Sequence, residues 1–445
     1  MRIVETNKAN QHIYSVYYES NGKKDIHSTI CYSVEEVQIN GKSYFFVYDS
    51  FMRPIEESFQ FLNVFLADKA PNTRAQYMNA LKILYSFESI IGKKLESFSA
   101  SEVEMLKCFL QGFCYEGEVF VLENLTERSP ETVNQYLGVY RKYLDYLNKE
   151  NKYLTARKSC NIMNPYFSSY TVLYTSPYKV KAKSTIKEEV AKYITVNDFI
   201  NIISLIRRSY TIREECIVRL MFEAGLRIGE VLGLTNEDIV TEKIDERYYN
   251  CVYIRNRVTD KRDQHAKGLL KPKNETEYGS KAYNTMNAGY QKVYISDSLY
   301  DLLGDYIDAT HEKAQHQYYT KYTASSVADS VCGNDFNFYV FSNKYGGRLS
   351  NTSWNSTIRH IFETVGIQVD KNIRENNLNH RFRQGFAMFQ VQYMHYNERD
   401  IADLLRHRST ATVHKYHRPT ISDKIKLKET FIDELYKQIP ELMEI

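Results

Sequence analysis

LNHRFRQGFAMFQVQYMHYNERDIADLLRHRSTATVHKY, running from Leu378 to Tyr416, is the stretch whose reading decides the fold. It sets His380 and Arg383 three residues apart, places His407 twenty-four residues after Arg383, and ends on Tyr416 nine residues later. Residues at i and i+3 share one helix face, so the His380 and Arg383 side chains reach one anion together. Arginine, histidine and tyrosine, with no carboxylate required among them, suit a negatively charged phosphodiester and an oxygen nucleophile. The segment therefore reads as most of a phosphoryl-transfer site, and the rest of the chain must complete it and bring DNA to it.

Upstream, the fragment Gly225-Leu226-Arg227-Ile228-Gly229-Glu230 follows a helical stripe of Ile217, Leu220, Met221 and Ala224. Gly225 suits a left-handed helix end. Arg227 then projects from a turn, with Glu230 placed to buttress the guanidinium or to cap the short helix from Ile228. Another helix precedes these, capped by Thr195 and carrying Phe199, Ile202, Ile203 and Ile206. Beyond Asp238 the chain turns extended. YYNCVYIRNRV and QKVYISD read as strands, separated by a long polar insert with Lys261, Lys267, Lys271 and Lys273. Loops of that length are usually functional or disordered. Helices follow from Leu299 to Thr310 and from Trp354 to Thr364, with FNFYVFSN as a short extended piece between them.

Taken in this order, Arg227, the lysine-bearing hairpin, His380-x-x-Arg383, His407 and Tyr416 resemble the tyrosine recombinases, or phage integrase family. The family's Arg-x-Gly-Glu box is matched directly. Its His-x-Leu-Arg-His box reads His380-Arg381-Phe382-Arg383-Gln384, and its Leu-Gly-His box reads Leu405-Arg406-His407, with Arg406 where glycine is usual. The resemblance implies that Arg227 and Arg383 clamp the scissile phosphate and His407 donates to it. It further implies that His380 takes the proton of Tyr416, the nucleophile, and that a hairpin lysine protonates the leaving 5′ oxygen. Lys271 is favoured for that lysine, with Lys267 and Lys273 as alternatives. A 3′-phosphotyrosine conserves the energy of the broken bond, so neither ATP nor a metal cofactor is expected. Zinc held by His407, His414 and His417 is disfavoured, because no cysteine cluster joins them.

The remaining sequence fits an α+β protein, mainly helical with small β elements. Residues 1–52 form a β-rich unit with an Asn40-Gly41 hairpin signal, either a DNA-binding arm or a β cap packed on the next domain. Residues 53–150 hold four helical stripes, one started by Ser129-Pro130, and resemble the helical, SAM-like core-binding domain of the family. Arg74, Lys82, Arg141 and Lys142 are exposed basic residues on this reading. Residues 151–192, with Pro165, Pro177 and a lysine cluster, read as a basic linker, and residues 193–445 as the catalytic domain. Ile421, Ile425, Leu435 and Ile439 give an amphipathic tail helix, which in the family docks on a neighbouring subunit. The expected partners are double-stranded DNA and further copies of the chain, ultimately as a tetramer on DNA. A relaxing topoisomerase of type IB and a catalytically silent DNA-binding regulator are the competing readings.

The 445 residues exceed one ordinary core, and 43% apolar with 25% charged residues is a globular composition. The net charge of +3 is itself weak support for a nucleic-acid partner. No apolar run approaches the roughly 18 residues of a membrane span, and the start lacks a signal-peptide core, so a cytoplasmic protein without membrane partners is expected. The seven scattered cysteines read as reduced, packed thiols.

Overall fold

A computed structural model of the chain describes residues 2–8, 11–20, 23–39, 42–112, 115–116, 121–156, 158–163, 170–175, 179–180, 192–323, 339–369, 378–407 and 413. These belong to two compact units, Met1–Thr185 and Ile186–Ile445.

In the first unit, strands β1 (Arg2–Lys8), β2 (Gln11–Ser20) and β3 (Lys23–Cys31) form an antiparallel meander. Strand β4 (Ser33–Ile39) pairs antiparallel with β5 (Lys42–Tyr48) in a separate two-stranded unit, as expected on either side of Asn40-Gly41, which itself lies outside the described residues. Helix α1 (Glu56–Gln60) runs on through a π-helical turn, Phe61–Phe65, and α2 follows as Pro71–Ile91. Helix α3 (Ala100–Gln111) starts at Ser99, whose hydroxyl accepts the Glu102 N–H while Glu102 accepts the Ser99 N–H, so two orphan donors are satisfied reciprocally. Short strands β6 (Tyr115–Glu116) and β7 (Val121–Glu123) return the chain to β1, which β7 joins in parallel at Arg2 to Val4. Ser129 caps α4 (Pro130–Tyr146), with proline in the first turn as read from the sequence.

Strands and helices share one core here. Tyr14 of β2 and Phe45 of β5 are fully buried in the same cluster as Phe87, Phe109 and Leu137 of the helices, with ring centroids of Tyr14 and Phe109 5.3 Å apart. Each such large side chain contributes on the order of 2 kcal/mol through burial. Two sequence expectations change. Arg74 and Lys82 are buried rather than exposed, Arg74 lying over the Phe45 ring at 4.8 Å; their aliphatic stems pack like apolar residues. The segment read as a linker contains an antiparallel hairpin, β8 (Lys158–Met163) with β9 (Tyr170–Thr175).

The second unit begins with α5 (Val196–Ser209), boxed by Thr195 and Asp198, and α6 (Ile212–Phe222). After α7 (Ile228–Leu232) come β10 (Ile239–Ile244), β11 (Arg247–Arg255) and β12 (Tyr290–Tyr294), an antiparallel sheet in that order. Buried Arg257 anchors the end of β11 by donating to Asp238 Oδ2 and Thr235 Oγ1, both at 2.6 Å. Helices α8 (Asp297–Thr323), α9 (Asn351–Thr364), α10 (His380–Tyr393) and α11 (Glu398–Leu404) complete the unit. Trp354, Ile358 and Phe362 of α9 meet Phe382 of α10 in its core, so the Phe382 departure is an apolar packing residue. Among the described residues no helix is long and apolar enough to cross a membrane.

Candidate active site

Three separated segments of the second unit meet around one carboxylate, and a fourth docks on α7. The first is the turn between α6 and α7. Gly225 adopts φ +61°, and a Cβ there would lie 2.8 Å from the Phe386 ring of α10, so both conformation and packing demand glycine. The chain then enters α7 with Arg227 at the N-cap. The Arg227 N–H donates to Glu230 Oε2 at 2.9 Å, and its Nη1 donates to Oε1 at 2.7 Å. Both roles considered for Glu230, capping and buttressing, are thus filled by one side chain. The Arg227 side chain is half-buried and Glu230 fully buried.

Helix α10 supplies the second segment. Its first turn is pinned to α9, since Trp354 Nε1 donates to Asn379 Oδ1 at 2.6 Å and Asn379 Nδ2 donates to Asn355 at 2.7 Å. His380 follows directly and is half-buried. Arg383, one turn on, has no exposed surface. Its Nη1 donates to the Gly225 carbonyl and its Nη2 to the Leu405 carbonyl. One guanidinium thereby ties the Arg227 turn to the turn that ends α11. Gly385 lets the helix approach closely, because a Cβ would sit 2.5 Å from the Ile194 carbonyl.

The third segment is that turn after α11. The Leu405 N–H bonds to Ile401 O and the His407 N–H to Ala402 O at 2.8 Å, which fixes the half-buried His407 against the helix end. Between them Arg406 takes φ +54°, a left-handed conformation that costs a residue with a Cβ about 1 kcal/mol or more. Its side chain is nearly buried and donates from Nη2 to Glu230 Oε2 at 2.8 Å. Burial alone would raise the Glu230 carboxyl, but Arg406, Arg227 and Arg383 together hold it at about 2. Three guanidiniums against one carboxylate leave the cluster positively charged.

The fourth segment is the lysine-rich insert between β11 and β12, which is ordered and held by its own polar side chains. Asn256 Nδ2 donates to the Ala266, Leu269 and Leu270 carbonyls, and Asn256 Oδ1 accepts the Ala266 N–H at 2.7 Å. The insert seats on α7: a Cβ at Gly229 would lie 2.9 Å from the Asp263 carbonyl, and one at Gly233 2.6 Å from the Gln264 carbonyl. Gln264 Nε2 donates to Leu232 O at 2.7 Å. The Leu270 N–H bonds to Ala288 O at 2.8 Å, so Lys271 emerges from a fixed point. Although the Lys271 side chain reaches solvent, desolvation near its ammonium depresses its pKa, and the Asp260 charge opposes this. Asp260 is raised to about 6 by burial, against the Arg257 N–H, the Tyr339 hydroxyl, and the Arg257 and Lys271 charges. His265 is lowered to about 4 by burial and by the Lys271 charge.

Of the residues singled out in sequence, Arg227 and Arg383 come together with the turn bearing His407. His380 opens the helix that carries Arg383, and Lys271 lies on the insert docked to α7. Tyr416, His414, His417 and the tail apolar residues fall outside the described residues. Sequence reasoning marks Arg406 only as a departure from glycine and misses its bond to Glu230. The usable signal was an arginine at a helix end where glycine is favoured.

A model of the Phage integrase family matches residues 192–422. The chain belongs to that family, the tyrosine recombinases. Transposase A from transposon Tn554 of Staphylococcus aureus is 30% identical over 216 residues, covering 47% of this chain and 58% of the transposase. The chain thus spans little more than half of that relative's length. Among solved structures, the XerH site-specific recombinase bound to difH superposes at TM-score 0.48 and 15% identity, over 80% of this chain and 78% of that one. The Tn1549 transposon integrase with circular intermediate DNA gives TM-score 0.45 and 12% identity, over 84% of this chain and 98% of that one.

Proposed function

We propose that this tyrosine recombinase cleaves and rejoins double-stranded DNA at specific sites through a 3′-phosphotyrosine intermediate, moving a mobile element. The observation that carries the reading is the convergence of Arg227, Arg383 and the His407 turn around the buried Glu230 carboxylate, in a chain of this family. A positive, braced pocket is what the charge developing on the non-bridging oxygens of a phosphodiester requires. Guanidiniums stay charged and match phosphate oxygens in two-point contacts.

In this scheme the Tyr416 oxygen attacks phosphorus and the bond to the 5′ oxygen breaks. His380 takes the phenolic proton, which an ordinary tyrosine holds up to a pKa of about 10. Lys271 gives the leaving 5′ oxygen its proton, a role to which a depressed ammonium pKa is suited. Arg227 and His407 contact the phosphate, while buried Arg383 adds positive potential and fixes the two turns. Attack by a 5′ hydroxyl of a second strand reverses the chemistry with new partners, so the bond energy is retained. Residues 53–150 and 193–445 serve as the core-binding and catalytic domains on the duplex, joined through 151–192, and the tail beyond Tyr416 links copies into a tetramer. The similarity to Tn554 transposase A supports element movement as the role.

The deciding experiment incubates the protein with DNA of the element ends carrying a nick that lets the cleaved 5′ fragment diffuse away. Wild type accumulates a covalent protein–DNA adduct, and Tyr416→Phe gives none. An adduct that persists in Tyr416→Phe, or none with wild type, refutes the mechanism. Relaxation of supercoiled DNA without strand exchange between two sites assigns the chain to topoisomerase-like activity instead.

A further inference from the structure

Arg406 is the one arginine of the cluster that the proposed chemistry leaves without a role. Its placement is unusual on two independent counts. Its backbone sits at φ +54°, where glycine would be unstrained. Its side chain is nearly buried, yet only Nη2 has a partner among the described residues, Glu230 Oε2; Nε and Nη1 are buried without one. A residue that only ended α11 would need neither feature.

The geometry points to Arg406 as a positioning residue for strand cleavage: it shares the Glu230 carboxylate with Arg227, offsets that negative charge, and so leaves the Arg227 guanidinium aligned and electrostatically available to the scissile phosphate. This inference rests on the strand-cleavage reading above. Without Arg406, the Glu230 carboxylate would draw on Arg227 alone for direct hydrogen bonds from a guanidinium, and would cancel more of the field that Arg227 directs outward. The charged groups that bear on Glu230 come from three elements: Arg227 at the start of α7, Arg383 on α10 and Arg406 after α11. His407 follows Arg406 directly, and the insert meets α7 at Gly229 through the Asp263 and His265 carbonyls. Removing Arg406 deletes the largest attractive charge on a carboxyl that burial otherwise pushes up. Glu230 then takes a proton at higher pH and releases its bonds to Arg227.

The test uses full-length protein on the nicked substrate, under single turnover, from pH 3 to pH 9. Arg406→Gly is the informative variant, because glycine relaxes the left-handed backbone and preserves the helix end; Arg406→Lys retains a charge without the fork. Arg406→Gly is expected to cleave at least tenfold more slowly at pH 7, with DNA affinity within about threefold of wild type. Below pH 5 its rate should fall more steeply than that of wild type, with Arg406→Lys intermediate. An unchanged rate and acid limb in Arg406→Gly overturn the inference while wild-type adduct upholds the cleavage reading. A wild type that forms no adduct removes both. Salt dependence supplies a further check: a slope reduced by about 0.9 in Arg406→Gly overturns the positioning role, since it makes Arg406 a direct phosphate ligand. If Arg406→Gly does not fold, an Arg406→Lys protein with wild-type rate and wild-type acid limb refutes the need for the guanidinium fork.

Discussion

Replacing Glu230 with glutamine removes one oxygen's charge from the centre of the site while keeping its size. The carboxyl is fully buried and sits at about 2 in the folded protein against an ordinary 4.5. At about 1.4 kcal/mol per pH unit, that difference corresponds to about 3 kcal/mol of stabilisation above pH 4.5. The contribution is complete above the unfolded value and shrinks as pH falls from about 4.5 towards 2. Glutamine forfeits it at every pH and leaves Arg227, Arg383 and Arg406 facing one another without compensation, a loss of the size seen when buried ion pairs are broken, about 3–5 kcal/mol. For a unit of this size each kcal/mol moves the melting midpoint by roughly 2–4 °C. Glu230→Gln should therefore melt roughly 6–20 °C lower at pH 7, followed by far-ultraviolet circular dichroism. The gap to wild type should narrow as pH drops from 5 to 3. A midpoint within 2 °C of wild type at pH 7, or a gap that stays constant with acidification, would show that the three arginines do not depend on this charge.

Two further outcomes rest on the same geometry. Lys271→Ala should slow cleavage by roughly 10²-fold or more while binding DNA normally, and a substrate with sulfur in place of the leaving 5′ oxygen should restore the rate, because a thiolate needs no proton to depart; absence of rescue would move the acid role to another group. Gly225→Ala, at φ +61° and 2.8 Å from Phe386, should cost about 2 kcal/mol or more and reduce adduct yield together with melting temperature, whereas an unchanged melt would refute the tight seat of α10 on the Arg227 turn.

Much of the helical framework could be read from local chemistry. Ser129 and Thr195 each offer an oxygen at the N-cap they occupy; the third helical stripe reads as following Ser101 but starts at Ser99, and its Val103, Leu106, Phe109 and Leu110 fall on the buried stripe of α3. These features depend on neighbours within a turn or two. What the sequence hid depends on partners far along the chain. Arg74 and Lys82 looked like solvated helix surface because a basic residue carries no local sign of the Phe45 ring or strands that cover it. The hairpin β8–β9 was masked by the prolines and lysines around it, although Tyr170–Thr175 is β-branched and aromatic. Within the site, the pairing of Arg227 with Glu230 was legible because it spans three residues. Arg406 reaches the same carboxylate across 176 residues, and no periodicity reports on that.

Arg383 gives the site an order of assembly. Its two main-chain acceptors lie at Gly225 and Leu405, so the Arg227 turn emerges from the ribosome long before the carbonyl that completes its brace exists. A chain that has not yet reached Leu405 holds a guanidinium whose burial would be costly without that acceptor. On the proposed mechanism, the brace that ties the Arg227 turn to the turn after α11 therefore forms only once Leu405 has been made.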